Sequence, residues 1–157
     1  MNYNLSIIIS HYIPEGFKAT NPIIKTLQAI KEQRENYNIE IIIADDGSYY
    51  SKEIQNNYSK KTKTLDSNRN IYYIENNKLF TFINKLNFPS GLINKWVYLP
   101  KDKQCMSKAK IVNFSTQLSS SQNLFFLDDD NYFISKNSIK NLIKLLDSYD
   151  FIVGQIK

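Results

Sequence analysis

The chain has 157 residues, 42% hydrophobic and 13% aromatic, which suits one domain with a real core and excludes a disordered chain. Its single cysteine, Cys105, excludes an intrachain disulfide framework and a clustered zinc site, and no apolar run approaches the roughly 20 residues that cross a bilayer. The formal charge of +5 comes from scattered lysines, densest at Lys60, Lys61 and Lys63 and again over 101–110; such a surface suits anionic lipid, and so peripheral membrane association, or nucleic acid, or a nucleotide diphosphate, and charge alone does not choose.

The first ten residues lack a basic region followed by a signal-peptide core, and the lone thiol fits a reducing compartment, so the chain reads as cytoplasmic. Residues 5–9 (LSIII) are a short, β-branched apolar run and predict a central strand buried on both faces. After the loop HYIPEGFKATN, Asn21 before Pro22 is a helix start, and Ile23, Ile24, Leu27 and Ile30 then share one face of a helix running to about Glu35. Residues 39–44 (IEIIIA) predict a second buried strand, ending in Asp45, Asp46, Gly47 and Ser48. A weak polar helix anchored by Ile54 and Tyr58 is expected over 49–63, and a third strand over 70–74 (NIYYI). Residues 75–106, with five aromatics, two prolines and Gly91, read as an irregular insertion holding a short strand at 95–99, with Trp96 as local core. Regular pattern returns over 107–120, where Ile111, Phe114 and Leu118 form a helical stripe. Residues 123–127 then predict a strand that delivers Asp128, Asp129 and Asp130. Ser135 or Asn137 can cap a last helix carrying Ile139, Leu142, Ile143 and Leu146 inward, and 151–153 predict one more strand.

This order is that of an α/β fold: an open, mostly parallel, doubly wound sheet with helices on both faces, formed by a single domain over 1–157. Ligands of such sheets bind beyond the carboxyl ends of the strands where strand order reverses, so Ser10 to Tyr12, Asp45 to Ser48 and Asp128 to Asn131 are expected to converge. Three adjacent carboxylates repel one another. Taken alone they read equally as a solvated acidic turn capping the next helix, or as a site for a divalent metal and a phosphorylated ligand. The turn SHYIPEG has no glycine cluster for a pyrophosphate, which disfavours a dinucleotide oxidoreductase or a P-loop, and nucleic-acid binding rests on net charge alone.

SIIISHY, then EIIIADDGS, then a helix containing Asn113 that leads into FFLDDDN, together resemble the N-terminal half of the family-two glycosyltransferases, which have the Rossmann-like GT-A fold. The resemblance covers 5–154 apart from 75–106. It implies that Ser10, His11 and Tyr12 touch the nucleotide, that Asp46 receives the base, and that Asp128 or Asp129 meets the sugar hydroxyls while Asp130 holds Mn²⁺ or Mg²⁺. Asp45 either joins the nucleotide contacts or stabilises the turn before Gly47. His11 contacts phosphate, or is a hydrogen-bonded structural group, or faces solvent. The resemblance further implies a nucleotide-diphosphate-sugar donor, an acceptor hydroxyl on a carbohydrate or lipid-linked carrier, and inverting transfer of a hexosyl class.

Two departures stand out. Val112 precedes Asn113 where the family often has a basic residue, so a phosphate contact falls to Lys108 or Lys110. The family's general base and much of its acceptor site come from a segment beyond those present, and no residue of this chain takes the base's position. A binding or interaction module without turnover is therefore the rival reading. A receiver-type signalling domain fits poorly, because its acid pair follows the first strand and not the second.

Overall fold

The structure, a computed structural model, describes residues 3–34, 37–58, 60–63, 70–89, 91–101 and 108–154. Cys105 lies outside them, as do residues 102–106 of the expected insertion and Ser107 of the expected helix. Six strands form one sheet in the order β3-β4-β5-β2-β1-β6. Strands β1 (Leu5–His11), β2 (Ile39–Asp45), β5 (Lys95–Tyr98) and β6 (Leu124–Asp128) run parallel, and β4 (Asn70–Glu75) and β3 (Lys60–Lys63) continue the sheet antiparallel. The expected open, mostly parallel α/β sheet is therefore present.

The continuous isoleucine runs are explained by burial on both faces. Ile7, Ile9, Ile41 and Ile43 pack on one side against Ile23, Leu27 and Ile30 of α1 (Ile23–Lys31), Leu79 and Phe82 of α3 (Asn76–Lys85), and Ile139 of α5 (Ser138–Leu146). Ile8, Ile42 and Ala44 pack on the other against Ile111 of α4 (Lys108–Gln117), flanked by Phe114 and Leu118. Alternation along each strand thus feeds two cores.

Several elements differ from expectation. Helix α1 opens as expected, with Asn21 Oδ1 accepting from the Ile23 N–H at 3.2 Å, but stops at Lys31; Glu35 lies outside the described residues. The stretch 49–63 is a 3-10 turn (Tyr49–Ser51), α2 (Lys52–Asn57) and then the edge strand β3, because Ile54 and Tyr58 span only one short apolar stripe. The segment 75–106 holds ordinary elements: α3, whose Leu79, Phe82 and Ile83 are buried, and β5, inserted between β2 and β4 in mid-sheet. Trp96 on β5 is fully buried, stacked on Phe88 and edge-on to Phe82, so it is core as expected. NIYYI pairs antiparallel with both β3 and β5. Residues 151–153 form no strand: Phe151 and Val153 are 83% and 77% exposed, with no ladder partner among the described residues. No helix among the described residues is long and apolar enough to cross a membrane.

At the amino ends of the strands, a buried carboxylate fastens three elements together. Glu40 on β2 accepts from Lys95 Nζ (2.6 Å), Ser6 Oγ (2.6 Å) and the Ser120 N–H (2.7 Å). Burial alone would raise its pKa, but the hydrogen bonds from Lys95, Ser6 and Ser120 outweigh it and hold the group below its ordinary value of 4.5. A lowered folded-state pKa means that this contribution is complete above about pH 4.5 and is lost as pH falls through the folded value. Glu40→Gln is expected to lose about 3 kcal/mol at neutral pH, because Lys95 is left without its counter-charge. It should also lack this part of the wild-type fall in stability below pH 4.5. Urea unfolding across that range checks both.

Candidate functional site

Register brings the polar strand ends together. On one side of β1, Ser10 lies opposite Asp128, and on the other His11 lies opposite Asp45. The ladders continue one step further: the Asp129 N–H donates to Ser10 O (3.1 Å) and the Asp46 N–H to His11 O (2.9 Å). β1 is therefore the point where strand order reverses, and both acidic loops leave the sheet beside it. An open crevice of about 230 Å³ forms there, lined by Ser10, His11, Tyr12, Asp46, Lys108, Asp128, Asp129 and Asp130.

Of the residues expected at the site, Lys110 and the turn residues Gly47 and Ser48 do not line the crevice, and neither does Asp45. It is 0% exposed, and its carboxylate accepts from the Ser48 N–H (2.8 Å), Trp96 Nε1 (3.0 Å) and the Ser51 hydroxyl. Its role is to hold the turn, because every acceptor direction used points into the protein. Ser48 completes that turn by accepting from the Ile13 N–H at 2.9 Å. Of the alternatives for His11, the geometry matches the hydrogen-bonded structural group: its imidazole is 0% exposed, with Nδ1 on Asp129 Oδ2 at 2.5 Å and Nε2 on the Tyr50 hydroxyl. It does not face solvent.

Asp46 is largely buried. Its Oδ2 is bound by Lys101 Nζ at 2.6 Å, while Oδ1 is buried without a hydrogen-bond partner among the described residues. Lys101 Nζ also lies 4.4 Å from the centre of the half-exposed Tyr12 ring. Asp128 accepts from Ser10 Oγ (2.7 Å) and Lys108 Nζ (2.5 Å). Burial pushes its pKa up, but Lys108 and Ser10 more than offset this and keep it below the ordinary carboxylate value. Asp130 stands exposed at the rim. Among the described residues, no group of three His, Cys, Asp or Glu side chains is gathered as a ready metal cluster.

Three contributors escape a reading of the sequence. Lys101 emerges next to Asp46 because β5 lies beside β2, which becomes visible only when β5 is placed in mid-sheet. Tyr50 reaches back from the turn after β2 to His11. Thr26 is a polar residue on the buried face of α1, and its hydroxyl lies 2.7 Å from Asp129 O and 2.9 Å from Asn131 O, tying the acidic loop to the helix. A threonine between Ile23, Leu27 and Ile30 is the one such signal the sequence carries.

Open α/β sheets bind their ligands beyond the carboxyl ends of the strands where strand order reverses, and here two acidic loops meet at that edge. The model of glycosyl transferase family 2 matches residues 6–88, and the chain belongs to that family. The matched span runs from β1 through α3, so it contains SHY, DDGS and the first part of 75–106, and it ends before the acidic triplet. No curated protein matches the chain.

Proposed function

We propose that the crevice holds the nucleotide-diphosphate sugar of a glycosyl transfer reaction. The observation that carries this reading is the buried, unpartnered Oδ1 of Asp46 beside Lys101. A buried acceptor left without a donor costs about 1–3 kcal/mol, which a base N–H reaching it would recover. Lys101 occupies the other oxygen and is itself a donor, so the pair suits an N–H flanked by a carbonyl. Uracil or thymine has that edge. Guanine offers two adjacent N–H groups to one free oxygen, and cytosine and adenine present a ring nitrogen acceptor where Asp46 also accepts.

On the far side of β1 the donor atoms are oxygens only, which fits Mg²⁺ or Mn²⁺. Such ions bind through one or two carboxylates and take their remaining oxygens from substrate phosphates and water. Asp130 is the ligand, since Asp128 and Asp129 already have cationic or N–H partners. When bound, the ion offsets charge growing on the departing nucleoside diphosphate. Asp129 and Asp128 hold the sugar hydroxyls as acceptors. Lys108, already at the crevice wall, is positioned for a phosphate oxygen. Transfer to an acceptor hydroxyl would invert the anomeric centre by in-line displacement.

One observation favours a second reading, binding without turnover: each acid lining the crevice is one that the donor itself would occupy, and His11 is committed on both nitrogens. Calorimetry with UDP, dTDP and GDP sugars, with and without Mn²⁺, tests the first reading. Metal-dependent binding of the uridine and thymidine compounds is expected, and no binding of any compound would refute it. Robust sugar transfer or donor hydrolysis by this chain would exclude the second.

A further inference from the structure

The two halves of the crevice are joined beneath its floor by a single line of hydrogen bonds: Asp129, His11, Tyr50 and Asn21. A carboxylate accepts, so His11 Nδ1–H donates to Asp129, and the tautomer protonated at Nδ1 presents Nε2 as an acceptor. The Tyr50 hydroxyl is the donor to Nε2. Burial, and after it the nearby charge of Asp45, push its pKa far above the ordinary tyrosine value, so the proton is retained. The Tyr50 oxygen in turn accepts from Asn21 Nδ2 at 3.1 Å, which leaves every member satisfied in one arrangement.

The line cannot easily rotate. His11 meets the Trp96 ring edge-on at 5.8 Å, and Tyr50 packs edge-on against both Trp96 and Phe88. Tyr50 follows the turn of Asp46, Gly47 and Ser48, and the 3-10 turn that contains it is fastened by Ser51 to Asp45. At the other end, Thr26 fixes the backbone of Asp129 while His11 fixes one carboxylate oxygen. Asp129 is therefore oriented from the loop that carries Asp46, across the full width of β1.

We propose that Tyr50 and His11 are positioning residues that set the Asp129 carboxylate from the Asp46 loop, so that the base side and the sugar-phosphate side of the crevice are aligned as one unit. Its effect on ligand rests on the nucleotide reading given above. Tyr50 does not line the crevice. A wall that merely filled space would not care whether Tyr50 carried its hydroxyl.

The test is a double-mutant cycle in the whole chain, using UDP with Mn²⁺ as the probe and Tyr50→Phe and Asp129→Asn as the variants. Tyr50→Phe keeps the ring packing and should weaken UDP binding about tenfold, in line with one hydrogen bond to a group that positions a charge. In the Asp129→Asn background the same change should cost less than about twofold, because its target has gone. Equal losses in both backgrounds, or no loss in either, would overturn the proposal. A ligand-free readout separates it from the nucleotide reading. In ¹⁵N spectra the wild type should show His11 protonated at Nδ1 and accepting at Nε2, and Tyr50→Phe should shift both Nε2 and the amides of residues 129–131. If UDP does not bind the wild type, the nucleotide reading fails and these shifts still decide the coupling. If those amides do not move, the coupling is refuted.

Discussion

Gly47→Ala is expected to destabilise the domain by about 3 kcal/mol or more and to spoil the crevice in whatever fraction remains folded. Gly47 has φ of +95°, which an alanine adopts only with strain. A Cβ there would also lie 2.6 Å from Lys101 Cβ and 2.7 Å from the Lys101 backbone nitrogen. These are not the yielding end of a flexible side chain. Relief requires the chain after β5 to retreat, and Lys101 would leave Asp46 as it did so. Thermal unfolding, together with UDP titration of the folded variant, measures both effects. Wild-type stability in Gly47→Ala would mean that the turn after β2 and the segment after β5 do not approach as described.

Asp46→Ala and Asp130→Ala are expected to fail in different ways. Removing Asp46 takes away the acceptor for the base and leaves Lys101 unpaired, so UDP affinity should fall by roughly 10- to 100-fold whether or not Mn²⁺ is present. Removing Asp130 should leave metal-free binding of UDP near wild type and abolish the increment that Mn²⁺ adds. Titrations of each variant at fixed ionic strength give the four affinities required. The salt condition matters, because Lys101 and Lys108 attract any polyphosphate. Loss of the Mn²⁺ increment in Asp46→Ala alone would reverse the assignment of the two loops.

The parts of this architecture that the sequence made legible are those fixed by uninterrupted apolar runs. LSIII and IEIIIA are buried on both faces and could hardly be anything but inner strands, LFFL is the half-buried edge strand beside them, and the polar ends of all three mark where each loop leaves the sheet. The acidic loops could be placed together because parallel strands joined by helices emerge on one edge. What could not be seen was decided by contacts distant in sequence. NNKLFTFINK has only Leu79, Phe82 and Ile83 to mark its buried face, and it follows a strand without a break, so its helix was lost in an apparent insertion. With that helix lost, β5 had no place beside β2, and Lys101 had no reason to meet Asp46. His11 is the sharper lesson. A lone histidine at a nucleotide-side strand end invites a ligand contact, yet whether its ring turns outward depends on Tyr50 and Asp129, which lie 39 and 118 positions away. Asp45 and Asp46 are chemically identical neighbours, and only their opposite directions at the end of β2 make one a brace and the other a candidate contact.

Nucleotide and metal are proposed to meet between the two acidic loops, and Mn²⁺ offers a direct test because it is paramagnetic. Amide spectra of the ¹⁵N-labelled chain, recorded with UDP and substoichiometric Mn²⁺, should lose the signals of residues 128–131 and 10–12 first, while the far end of α4 near Leu118 and the strand starts near Glu40 persist. Broadening that ignores UDP, or that centres away from this edge of the sheet, would contradict the account.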